Sequence, residues 1–209
     1  MKNIILSITL VIFTFTMGYS QYLGLKGGLN FSNLNIEDNE GQLLLGYHAG
    51  AFLNIPLSDA FSVQPEVLFS TKGSKTTYNI DILELEGEST LRLNYIEVPL
   101  LGVLNLGEVA QINFGPYLGF LSTAKFDLEG DFAGSDFENT EKLDQDFFNG
   151  FDYGLAIGIA LNFNAIQVGA RYSHGLAKIE DSPEAELFLG DAQNRNVQAY
   201  IALRIGNYD

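Results

Sequence analysis

The chain has 209 residues, a formal charge of −15 from 11 basic and 26 acidic side chains, and no cysteine. That balance excludes the basic surface that nucleic-acid phosphates require, so nucleic acid is not an expected partner. Without cysteine there is no disulfide framework, thiolate metal site or cysteine nucleophile.

Residues 1–20 read as a cleaved signal peptide. Lys2 supplies a positive start, Ile4–Met17 is an apolar run without charge, and Gly18-Tyr19-Ser20 offers small residues just before Gln21. The run is shorter than the roughly 20 residues of a membrane helix. An N-terminal anchor helix is the other reading. Residues 21–209 are then expected to form one domain.

Eight segments follow in which bulky apolar residues alternate with small or polar ones. They are Tyr22–Ser32, Leu43–Asn54, Phe61–Lys72, Leu91–Leu104, Ala110–Lys125, Gly150–Asn162, Ala165–Gly175 and Arg195–Ile205. A period of two at these lengths fits tilted transmembrane strands of about 9–11 residues. The clearest case is the sixth. Phe151, Tyr153, Leu155, Ile157, Ile159 and Leu161 fall on one face, and Asp152, Gly154, Ala156, Gly158, Ala160 and Asn162 on the other. An unbroken greasy face backed by a slim one describes a strand with lipid outside and a narrow lumen inside.

Lipid cannot satisfy open strand edges, so such strands must close. The expected fold is all-β: a closed antiparallel up-and-down transmembrane β-barrel of 8 strands. Ten strands are the alternative, because Lys75–Leu85 and Ser89–Asn94 keep some alternation and could extend as a hairpin above the membrane. A soluble lipocalin-like barrel would carry the opposite polarity.

The connections alternate in length. Residues 55–60, 105–109 and 163–164 are short, whereas 33–42, 73–90, 126–149 and 176–194 are long. One barrel end is therefore expected to face the periplasm and the other the outside. The long connections hold 20 of the 26 acidic residues, so the negative charge is concentrated at the outer mouth.

Strand parity predicts the lumen. It points Lys26, Gly28 and Asn30 inward from the first strand, Gln64, Glu66 and Ser70 from the third, and Glu97 from the fourth. Asp152 follows from the sixth, Gln167, Arg171 and Ser173 from the seventh, and Gln198, Tyr200 and Arg204 from the eighth. The predicted lumen charge cluster is thus Lys26, Arg171 and Arg204 against Glu66, Glu97 and Asp152. Eight strands enclose only enough space for their own side chains. A salt-bridged plug is expected there, with a proton or ion path as the competing reading.

Chemistry is sparse. His48 and the Ser173-His174 pair lie toward the outer rim, but neighbours in a strand point to opposite faces, which separates the simplest nucleophile and base. No catalytic, cofactor or metal residues are predicted, and no enzyme is expected. Asp127, Glu129, Asp131 and Glu138 have calcium-loop spacing, but Phe132 stands where that loop needs glycine. A solvated, mutually repelling acidic rim is expected, with weak divalent-cation binding by the acidic loops as the alternative reading. The remaining expected partners are outer-membrane lipid and the barrel assembly machinery. The alternating last strand Arg195–Ile205 suits the latter, although Gly206-Asn207-Tyr208-Asp209 follows it in place of a terminal Phe.

The residues Gly24–Ser32, Gly46-Tyr-His-Ala-Gly50, Val63–Phe69 with Lys72-Gly73, and Tyr95–Leu101 resemble the PorT-like family of small outer-membrane β-barrels of Gram-negative bacteria. Gly115–Gly119, Asp152-Tyr-Gly154 and Arg171–Gly175 continue the likeness over the mature chain. The resemblance implies an eight-stranded barrel with a signal peptide, located in the cell outer membrane. It also implies, for some relatives, a role in assembling a protein secretion apparatus.

Overall fold

The computed structural model describes residues 21–36, 39–40, 42–80, 85–132, 135–143, 148–179 and 192–206. The expected signal peptide and the acidic residues of the fourth long connection lie outside them. Ten strands are formed: β1 (Tyr22–Ile36), β2 (Asn39–Glu40), β3 (Leu44–Pro56), β4 (Phe61–Ile80), β5 (Leu85–Leu106), β6 (Ala110–Phe132), β7 (Ser135–Leu143), β8 (Phe151–Phe163), β9 (Ile166–Lys178) and β10 (Gln193–Gly206).

Eight of these make a closed ring. Each of β1, β3, β4, β5, β6, β8, β9 and β10 pairs antiparallel with the next, and β10 returns to β1 from Tyr22↔Gly206 to Asn35↔Gln193. The two extra strands stand off the ring, β2 on β1 and β7 on β6. The ring has the expected eight strands; the hairpin that suggested ten lengthens β4 and β5 instead of adding strands, and the two extra strands of the sheet come from elsewhere in the chain.

The faces divide as the alternation demands. In β8, every second residue from Asp152 to Ala160 is buried while Phe151 to Leu161 are exposed. Leu25, Ile159 and Ile201 on this outer face are 52, 64 and 62% exposed. A belt of apolar side chains on this scale is far larger than a water-soluble monomer presents, and it is the surface that lipid covers.

Glycine on the inner face makes room for aromatic rings. A Cβ at Gly169 would sit 2.4 Å from the Tyr200 ring, and one at Gly24 only 2.1 Å from that of Phe52. Gly169→Val is expected to displace Tyr200 from the bore and cost about 1–3 kcal/mol by overpacking. A urea midpoint in detergent equal to that of the unchanged protein would refute this.

The wall is not uniform in height. β4, β5 and β6 are 20, 22 and 23 residues long, about twice what a tilted membrane crossing needs. The stretches expected as loops at 73–90 and 126–149 are thus largely sheet, because β4 continues to Ile80, β5 begins at Leu85 and β7 adds to β6. A bulge marks where this sheet leaves the barrel. Asn94 pairs with Thr123 but Tyr95 with Leu121, which leaves Ser122 as the extra residue on β6. The inward parity of β6 changes across it, from Tyr117 and Gly119 below to Ala124 above.

Candidate functional site

The bore is filled in layers. Nearest the short turns, Tyr22, Phe52, Ala160, Tyr200 and Ala202 form an apolar cluster. Tyr22 and Phe52 meet edge-on, with ring centroids 6.1 Å apart.

Above it lies the first charged layer, centred on Glu66 of β4. Lys26 Nζ donates to Glu66 Oε1 at 2.8 Å, and Arg171 donates twice, Nη1 to Oε2 and Nη2 to Oε1, both at 2.8 Å. Gln64 Nε2 donates to Oε1 at 2.8 Å, and Arg171 Nε to Asn113 Oδ1 at 3.3 Å. Lys26 also stands 4.2 Å from the centre of the Tyr200 ring. β4 and β9 are four places apart in a ring of eight, so the two-pronged Arg171–Glu66 pair spans the bore. Forked guanidinium–carboxylate pairs are the strong, directional kind.

The second charged layer lies toward the loop end and is centred on Lys72. Its ammonium bridges Glu97 of β5 and Asp152 of β8, the latter at 3.0 Å. It stands 4.4 Å from the Tyr117 ring centre. Tyr117 donates its hydroxyl to Asp152 at 3.3 Å, and Asn194 Nδ2 donates to Asp152 Oδ2 at 3.1 Å. All six charged side chains of the two layers are buried. The first layer has one excess positive charge and the second one excess negative charge, so the bore as a whole is neutral.

A second apolar cluster caps the loop end. Leu34, Leu93, Tyr95, Ala124, Phe148, Ile179 and Ala192 come together from strands and connections around the mouth. Leu91, Leu121 and Leu143 pack against them.

Five of the six predicted cluster residues, Lys26, Glu66, Glu97, Asp152 and Arg171, stand in these layers. Arg204 does not. It lies at the short-turn rim, where its guanidinium donates to the Asn164 carbonyl and lies 5.6 Å from the Tyr22 ring centre. The reason is height: β10 ends at Gly206, only two residues further on. Lys72 takes its place as the third cation. It carries the same inward parity as Glu66 and Ser70, so the signal was present in the alternation of β4.

No catalytic grouping forms among the described residues. His48 is buried in the bore, with Nδ1 2.7 Å from Asn30 Oδ1. Ser173 is buried on the inner face of β9. His174 points outward, Nδ1 lying 3.2 Å from the Tyr172 hydroxyl. The calcium-loop spacing falls on sheet, with Asp127, Glu129 and Asp131 on β6 and Glu129 directly opposite Glu138 of β7. No group of three or more metal-ligating side chains is found among the described residues.

A closed antiparallel ring with an apolar outer belt and a bore filled by paired charges is a transmembrane β-barrel of the outer-membrane kind. The model of the outer membrane protein beta-barrel domain family matches residues 19–181. The chain belongs to that family, and the protein is an outer-membrane β-barrel protein. Among solved structures it is similar to Ail, the attachment invasion locus protein of Yersinia pestis, in complex with sucrose octasulfate. That match has 12% identity, covers 90% of this chain and 100% of that one, and has a TM-score of 0.43. Neisserial surface protein A is similar at 10% identity over 88% of this chain and 97% of that one, with a TM-score of 0.40. An outer membrane channel of Pseudomonas putida F1 follows at 10% identity, 91% and 97% coverage, and a TM-score of 0.31. No curated protein sequence matches the chain.

Proposed function

We propose that the protein is a non-enzymatic, non-conducting outer-membrane barrel that works as an interaction platform through the sheet and acidic connections at its loop end. The observation that carries this reading is the filled bore: apolar clusters at both ends enclose two paired charge layers. A bore of that kind favours function on the exposed parts over transport through the middle. The short turns are assigned to the periplasm and the loop end to the outside, following the usual asymmetry of such barrels. The acidic connections then meet ions or a protein partner first.

The test is to purify the mature protein from its native membrane in detergent and identify what accompanies it. A variant lacking the loop-end hairpin, residues 76–88, is carried in parallel. The variant is expected to keep the heat-dependent gel shift of a folded barrel and to lose the companion. A companion retained equally by both forms would overturn the platform reading. The PorT-like resemblance supports a second reading, an accessory role in protein export. Unchanged secreted proteins after deletion of the gene would remove it.

A further inference from the structure

Outside the bore, the loop-end sheet changes chemistry row by row. Residues directly opposite in an antiparallel sheet share a face and touch, so register fixes which side chains stand side by side. Phe69, Ile96, Phe120 and Phe151 make one outward row across β4, β5, β6 and β8. The next row toward the loop end is polar. Thr71 Oγ1 donates to Asn94 Oδ1 at 2.7 Å, and Asn94 Nδ2 donates to Thr123 Oγ1 at 2.8 Å. The row after that is cationic: Arg92 stands opposite Lys125, and Lys125 opposite Lys142.

Three like charges side by side repel, and such pairs weaken a sheet when nothing offsets them. One carboxylate lies close, Asp127, whose Oδ2 is 3.4 Å from Arg92 Nη1. It leaves the Arg92 side chain 49% exposed. Lys142 is exposed and Lys125 half-buried. The row thus presents a net positive strip to whatever lies against the outer wall.

Height decides what lies there. On β5 the outward apolar residues run from Leu106 to Ile96, which at ~3.3 Å per residue and a tilt of about 40° spans roughly 25 Å. That matches a hydrophobic band of about 25 Å. Arg92 follows four residues later, roughly 10 Å beyond Ile96 by the same rise. Long basic side chains fold back along the wall toward the interface. Their charges then enter the headgroup layer, about 5–7 Å deep on each side of the hydrocarbon.

We infer that Arg92, Lys125 and Lys142 form a lipid-headgroup site, binding the phosphate of an anionic lipid whose acyl chains lie on Phe69, Ile96 and Phe120. Charge complementarity selects phosphate, since a guanidinium grips its oxygens in a fork and two ammonium groups add point charges. Continuity with the lipid-covered belt selects a lipid over a soluble anion, because the apolar row begins just two rows beneath. Only the choice of leaflet depends on the orientation proposed above.

The test uses the folded mature protein in zwitterionic micelles, titrated separately with diphosphoryl lipid A and with its dephosphorylated form. Bound lipid is counted by native mass spectrometry. The unchanged protein is expected to hold the phosphorylated form preferentially. The R92Q/K125Q/K142Q variant should lose that affinity on the order of a hundredfold, at about fivefold per cation. Its urea midpoint without lipid should equal or exceed that of the unchanged protein, since all three residues are outside the bore. If the triple variant does not fold, K142Q alone should show a loss of about fivefold in the same titration. Equal retention of the two lipids, or undiminished retention by the variants, would overturn the site. Displacement of the lipid by excess inorganic phosphate would overturn it too, by making the row a soluble-anion site.

Discussion

Glu66→Ala is expected to be the most damaging single substitution in the bore, costing about 3–5 kcal/mol. Glu66 is the shared acceptor of Lys26 and Arg171, so its loss leaves two buried cations facing each other with no carboxylate between them. Lys26→Met should cost clearly less. It removes one cation and leaves Glu66 held by both prongs of Arg171. The comparison separates a shared centre from two independent pairs. Urea unfolding of the mature protein in detergent micelles, followed by the gel shift between folded and unfolded forms, reads both variants. A Glu66→Ala loss no greater than that of Lys26→Met would show that the layer is not organised around the carboxylate.

The mature protein is expected to give no stable ion conductance in planar bilayers. Four layers stand in series along the bore: an apolar cluster, the Glu66 layer, the Lys72 layer and the apolar cap. An ion would have to displace paired charges in a space that eight strands leave only wide enough for side chains. Softening the cap alone, with Leu34→Ser and Phe148→Ser together, should leave the protein silent because the charged layers remain below it. Discrete, long-lived conductance steps from the unchanged protein would disprove the filled-bore account. Steps from the double variant alone would show that the cap is the sole barrier.

Much of this was legible in the sequence because a barrel wall enforces a period of two. Phe151–Asn162 declares both faces of its strand without help from any other segment. The same parity assigns Lys26, Glu66, Glu97, Asp152 and Arg171 to the inside. What parity cannot supply is height along the barrel axis. Arg204 has inward parity but sits at the rim, where its guanidinium donates to the Asn164 carbonyl. Lys72 has inward parity too, at the last residue of the alternating stretch of β4, but parity does not show that its height matches that of its partners Glu97 on β5 and Asp152 on β8.

The tall sheet was legible only in part: Lys75–Leu85 and Ser89–Asn94 keep some alternation, but the stretch of β4 that leads into it does not. From Thr71 to Ser74 every side of β4 is buried, since Gln42 bridges Lys75 on its flank and Leu44 packs near Gly73. The bulge at Ser122 left one trace, the adjacent apolar pair Phe120-Leu121 that breaks the period. The cap is a different case. Leu34, Phe148, Ile179 and Ala192 come from four separate places in the chain and show no periodicity that could join them.

The Arg171–Glu66 pair joins residues 105 positions apart in sequence and four strands apart around the ring. No hairpin or run of neighbouring hairpins brings the two together, and the first and last strands are themselves each other's partners. While the ring is open, Glu66, Lys26 and Arg171 have to remain hydrated or temporarily paired elsewhere. The layer that fixes the bore is thus among the last contacts to form, and contacts this distant in sequence are slow to find. It ties completion of the barrel to arrival of the C-terminal strands, so a chain cut short before β9 lacks the guanidinium that its interior requires.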